Sequence, residues 1–123
     1  MKLKIPALLA ISSFLFVGCS STDSRLELVK NGMFDFCPQK TVNQMVNGYI
    51  ANPKWEALVA SDGEDYVNVS GQITYFDQPV DMLLQFQVDT DSERFEVNAF
   101  EMNGVPQNYF MSDSLLENMC YGD

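Results

Sequence analysis

Residues 80–89 read Val-Asp-Met-Leu-Leu-Gln-Phe-Gln-Val-Asp, and this stretch decides the fold. Val80, Met82, Leu84, Phe86 and Val88 recur at every second position, with Asp81, Gln85, Gln87 and Asp89 between them. A period of two puts the apolar set on one face of a strand and the polar set on the other. Such a strand belongs in an antiparallel sheet that keeps one face on a core and one in water.

The pattern extends in both directions. Upstream, Val67, Val69, Ile73 and Tyr75 alternate with Asn68, Ser70, Gln72 and Thr74, and Gly71 reads as a bulge or bend. Asp77-Gln78-Pro79 turns the chain between these two strands. Further upstream, Trp55, Ala57 and Val59 make a short strand, joined on by an Asp62-Gly63 hairpin turn. Downstream, Thr90, Asp91, Ser92 and Glu93 form a polar turn. Phe95, Val97 and Ala99 then alternate with Arg94, Glu96 and Asn98 until Asn103-Gly104-Val105-Pro106 ends the strand.

Beyond the strands the period becomes helical. Over residues 41–51, Val42, Met45, Val46, Tyr49 and Ile50 share one face, and Thr41 with Gln44 makes a capping box. Asn52-Pro53 stops this helix. Gly48 weakens it by about 1 kcal/mol relative to alanine and admits close approach to the sheet. Residues 109–120 carry Met111, Leu115, Leu116 and Met119 at helical spacing. Ahead of both, Asn31-Gly32 marks a turn in a leading segment that packs Met33, Phe34 and Phe36. The expected fold is α+β: a helix, an antiparallel meander of three or four strands and a C-terminal helix, with the helices on one face of the sheet.

The N-terminus is an address rather than part of this fold. Lys2 and Lys4 precede a 13-residue apolar run, residues 5–17. Roughly 20 residues are needed to span a bilayer core, so the run reads as a secretory signal. It ends Phe16-Val17-Gly18-Cys19, which resembles a bacterial lipoprotein signal cut before its cysteine, with Phe16 where leucine is usual. That resemblance implies that Cys19 is acylated and that Ser20, at the second mature position, directs the protein to the outer membrane, facing the periplasm. The chain then divides into a signal over residues 1–18, an acylated cysteine and tether over 19–27, and a single domain over 28–123. The other cysteines, Cys37 and Cys120, are left as a pair in an oxidising compartment. A disulfide between them would close nearly the whole domain, worth about 4.5 kcal/mol in the chain-entropy picture.

Charge narrows the partners. The chain has 7 basic and 17 acidic residues, and loss of Lys2 and Lys4 takes its net charge from −10 to −12. Such a surface repels nucleic-acid phosphates and anionic head groups, so nucleic acid is excluded and membrane contact falls to the lipid. The sequence has no histidine, which removes the commonest general base and zinc ligand.

A second resemblance covers most of the mature chain, from about Leu28 to Cys120. Val29-Lys30-Asn31-Gly32, Thr41-Val42, Lys54-Trp55-Glu56, Val67-Asn68-Val69-Ser70-Gly71 and the run from Phe95 through Asn103-Gly104-Val105-Pro106-Gln107 resemble a module of small exported bacterial proteins and lipoproteins. The resemblance implies placement in the envelope and brings no assigned activity.

Candidate sites are few. Asp89-Thr90-Asp91-Ser92-Glu93 has the oxygen spacing of a calcium loop, but Arg94 stands where the turn glycine is needed, so a solvated hairpin turn is expected and no metal or cofactor. Glu96 and Glu101 are the carboxylates best placed for hydrolytic chemistry. Ser70 has neither a nucleophile-elbow pattern nor a base. Trp55 is expected in the core. Asn103, Gly104, Val105, Pro106, Gln107 and Asn108 combine a special backbone with amide side chains and make the candidate binding loop. The functional expectation is a non-enzymatic, lipid-anchored binding or accessory module acting on an envelope protein or cell-wall component, in its most specific form an inhibitor of an envelope enzyme. The alternative is a small carboxylate-dependent hydrolase of cell-wall material. For the anchor, Cys19→Ser is expected to leave an unprocessed or soluble precursor that takes up no labelled fatty acid, whereas wild type is labelled; equal labelling would remove Cys19 as the lipid site.

Overall fold

The computed structural model describes residues 23–122, so the signal and the acylation of Cys19 lie outside the described residues. The core strand is β3, Gln78–Asp89. It sits at the centre of a five-stranded antiparallel sheet ordered β1-β2-β3-β4-β5, with β1 Ala51–Val59, β2 Asp65–Tyr75, β4 Arg94–Met102 and β5 Val105–Pro106. Val80, Met82, Leu84, Phe86 and Val88 are all buried, as their spacing requires. Three helices cover this inner face: α1 Ser24–Asn31, α2 Val42–Tyr49 and α3 Tyr109–Tyr121. Val29 of α1, Met45 and Val46 of α2 and Leu115, Leu116 and Met119 of α3 join the strand residues in one core.

The Thr41 capping box forms in full. Its hydroxyl accepts from Gln44 N at 3.1 Å, and the Gln44 side chain accepts from Thr41 N at 2.8 Å. The cysteines are bonded as expected, with Cys37 and Cys120 Cα atoms 5.9 Å apart across 83 positions of chain. The bond ties the approach to α2 to the end of α3. Lys40 Nζ donates to the Met119 carbonyl at 3.3 Å and the Tyr121 hydroxyl to the Phe36 carbonyl at 2.8 Å, so three links converge on one junction.

Several boundaries differ from the sequence reading. The domain begins before Leu28: α1 starts at Ser24, within the stretch read as tether, because the Asp23 carboxylate caps it by accepting from Arg25 N. The helix over 41–51 stops at Tyr49. Ile50 is already extended, and β1 begins at Ala51 with Asn52 in the left-handed region at φ 54°.

Gly71 is not itself a bulge, since β2 and β3 pair without interruption from Asp65↔Val88 to Tyr75↔Gln78. The irregularity lies in β1, between Ala51 and Lys54. A Cβ at Gly71 would stand 2.5 Å from both the Ala51 carbonyl oxygen and Ile50 Cγ2, so glycine is what lets the α2–β1 corner press onto β2. Gly48, by contrast, has nothing within 4 Å of the position its Cβ would take and mediates no close approach.

The β2–β3 turn is Phe76-Asp77 rather than Asp77-Gln78-Pro79. Pro79 lies inside β3, opposite Thr74, where no β4 residue needs its missing N–H. In β4 the alternation slips. Gln85 pairs with Ala99 but Phe86 with Val97, leaving Asn98 as the extra residue. Ala99 therefore faces outward, and Phe100, which is 2% exposed, takes the core position. Trp55 is half-buried against the core, with Lys30 Nζ 5.3 Å from its ring centroid.

The two glycines give opposite expectations in urea unfolding. Gly71→Ala should lose about 1–3 kcal/mol through the clash with β1, and Gly48→Ala should gain up to about 1 kcal/mol through helix propensity. Equal effects would contradict the close packing at Gly71.

Candidate functional site

The long strands separate two poles of the sheet. At one pole lie the start of β2, the end of β3 and the N-terminus of α1. Arg25 fixes the chain there, its guanidinium reaching Asp23 at 2.8 Å and Asp65 at 3.1 Å. The Arg25 hydrogen bonds hold the Asp23 carboxyl below its ordinary value, and Asp23 in turn raises Arg25. Ser24, Glu27 and Leu28 line a shallow cleft here with Thr90 and Glu93 of the β3–β4 turn. Asp23, the first described residue, therefore lies at this pole.

The same pole holds the stretch with calcium-loop spacing. Asp89 folds back on its own turn, accepting from Asp91 N at 3.0 Å and Ser92 N at 3.3 Å. The Ser92 bonds lower the Asp89 pKa. Among the described residues, no three cysteine, aspartate or glutamate side chains gather in a way that could hold a metal ion.

The two carboxylates singled out for hydrolysis are not brought together. Both lie on the outer face, on either side of the Asn98 bulge. Glu96 pairs with Gln87, and Glu101 sits between Leu83 and Pro106. Glu96 lines an open cleft of about 330 Å³ with Glu64, Asp89 and Arg94, and Glu101 is not part of it. A general acid needs a raised pKa, and Asp89 in this cleft is shifted the other way. Ser70 lies on the same outer face, paired with Lys54 and Leu83.

The opposite pole carries the candidate binding loop. Asn103 and Gly104 form a two-residue turn between β4 and β5, both left-handed at φ 51° and 80°, the pattern of a type I′ hairpin. One atom of each amide expected to be offered to a partner is engaged internally. The Asn103 side chain accepts from Asp81 N at 3.1 Å, Gln107 Nε2 donates to the Val105 carbonyl at 2.9 Å, and Asn108 caps α3 by accepting from Met111 N at 3.0 Å. Beside them the loop presents apolar surface. Val105 is 58% exposed, and the adjoining Tyr109 and Phe110 are 83% and 75% exposed.

The β2–β3 turn lies at this same end and adds Phe76, also 83% exposed. Sequence reading passed over Phe76, Tyr109 and Phe110. The available signal was an aromatic residue inside a turn and an aromatic pair directly after a helix cap, neither of which has a core to enter.

The chain matches no family profile, no curated protein and no solved structure.

A pH dependence follows from the Arg25 pole. Because Asp23 titrates lower folded than unfolded, its contribution is present above the ordinary carboxylate pKa and is lost as pH falls through the depressed value. Asp23→Asn, which keeps a capping oxygen and removes the charge, should thus cost up to about 1 kcal/mol at pH 7 through loss of the exposed ion pair with Arg25. The difference from wild type should shrink below about pH 4, as read by urea unfolding across pH. A difference constant with pH would assign the effect to capping geometry alone.

Proposed function

We propose that this is a lipid-anchored envelope protein that binds another envelope component through the pole farthest from its anchor. One observation carries the reading: the chain enters the domain at the Arg25–Asp65 pole, and the three most exposed aromatics among the described residues, Phe76, Tyr109 and Phe110, lie at the other. The two ends of β2, Asp65 and Tyr75, are about 33 Å apart at the usual rise per residue. The four residue steps from Cys19 to Asp23 reach at most ~14 Å. An upright domain thus holds Phe76, Tyr109 and Phe110 clear of the bilayer that receives the lipid. Three aromatics at least three-quarters exposed at one end of an acidic domain are the mark of a protein-binding surface. The acidic balance favours a basic partner, which fits inhibition of a cationic envelope enzyme as the specific form of this role.

The test sets co-purification beside activity. Full-length tagged protein from solubilised envelopes should retain a stoichiometric partner that the Tyr109→Ser, Phe110→Ser double variant loses. The same preparation should leave purified cell wall intact. Turnover of cell wall that disappears in Glu96→Gln or Glu101→Gln would overturn the binding role in favour of hydrolysis.

A further inference from the structure

Two hairpin turns of equal length meet the solvent at the aromatic pole, and their residues differ in a way that geometry does not require. Asn103-Gly104 uses residues that tolerate the left-handed region. Phe76-Asp77 places a phenylalanine at φ 50° and an aspartate at φ 62°. A bulky side chain at positive φ is a genuine outlier, because its Cβ crowds the following carbonyl. No burial offsets that crowding. Phe76 is 83% exposed, and its ring meets Tyr75 edge-on with centroids 4.5 Å apart. Residues held in such a conformation concentrate at sites of recognition.

The surroundings make this turn a finger. β1 pairs with β2 no farther than Gln72, and β4 pairs with β3 no farther than Met82. Ile73–Tyr75 and Gln78–Val80 therefore continue as a two-stranded ribbon without a strand on either side. Ile73 and Val80 stay in the core at its base, and the exposed Thr74, Tyr75, Gln78 and Pro79 carry the turn about 7 Å beyond them. From Gln72 to Asp81 the ribbon bears Asp77 and Asp81 and neither lysine nor arginine.

We propose that this finger is the recognition element, and that it seats Phe76 in an apolar pocket of a partner protein whose rim is cationic. The proposal rests on the reading of this pole as the binding pole. A convex aromatic tip calls for a concave apolar site, and Asp77 beside it calls for positive charge around that site. A second copy of this chain suits it poorly. The cleft beside Tyr75, between the end of β2 and α3, holds about 60 Å³, against the ~150 Å³ cavity that admits a benzene ring. The wider cleft lined by Met33, Phe34 and Phe95 has Asp35 and Glu93 beside its one arginine, Arg94, so its rim is not cationic. An anionic membrane surface is opposed by Asp77 and Asp81.

Two measurements on the full-length protein test the proposal. First, replacing the turn by Asn-Gly (Phe76→Asn, Asp77→Gly) relieves the crowding and should raise Tm by about 5 °C. An unchanged or lower Tm would mean that Phe76 is there for stability and would overturn the proposal. Second, a photoreactive benzoylphenylalanine is placed in intact cells at position 76, with position 110 as a second site on the pole and position 59 as an exposed control far from it. The expected result is a discrete protein adduct at 76, none at 59, and at least a threefold lower yield at 76 in Asp77→Asn, which keeps the turn and removes the charge. An adduct to lipid, an adduct of twice the chain's own mass, or a yield indifferent to Asp77→Asn would each overturn it. A protein adduct at 110 without one at 76 rejects the finger and leaves the binding pole standing. Absence of adducts at both positions rejects the pole itself.

Discussion

One constraint shapes the molecule: over residues 80–89 its central strand is wholly apolar on one side and, Leu83 apart, polar on the other. Val80, Met82, Leu84, Phe86 and Val88 must leave water together, while the residues between them can stay in it. A sheet built around such a strand has one face to cover, and a chain of this length covers it with three short helices. α1 and α2 have eight residues each, too short to be stable alone, so they depend on the sheet they shield. The Cys37–Cys120 bond then acts where this arrangement is weakest. It joins the start of one covering helix to the end of another, so that neither can lift from the sheet independently.

The same long strands account for the two-ended surface. β2 and β3 have 11 and 12 residues, while β1 and β4 have nine each, so the central pair outruns its neighbours. That excess is what becomes the finger at one end. At the other, the Arg25 ion pairs gather the N-terminus against the start of β2. On the proposed reading, the length of the sheet keeps lipid attachment and partner binding apart.

What could be read in the sequence is what depends on near neighbours or on a strict period. The alternation of residues 80–89, the Thr41–Gln44 box and the even cysteine remainder each follow from a rule in which no competing partner intervenes. The Asn98 bulge escaped because Val97 and Phe100 are both apolar, and the period alone does not say which of Ala99 and Phe100 turns inward. Helix α1 escaped because its first residues are polar and resemble a tether; its capping depends on Asp23, and its anchoring on Asp65, 40 positions away. Gly71 was correctly marked as special but for the wrong reason, since the corner it admits belongs to another strand. The binding loop was chosen for its amides. One atom of each amide is taken up, by Asp81 N, the Val105 carbonyl or Met111 N, and the apolar neighbours face the solvent beside them.

The central claim is that the disulfide holds covering helices onto a sheet that is the more stable unit. Residue-resolved amide hydrogen exchange, before and after reduction, measures this directly. The account predicts that reduction speeds exchange in α3 at least tenfold while the central amides of β2 and β3 remain the slowest in the molecule. Exchange in α3 unchanged by reduction, or β2 and β3 losing protection together with it, would contradict the account.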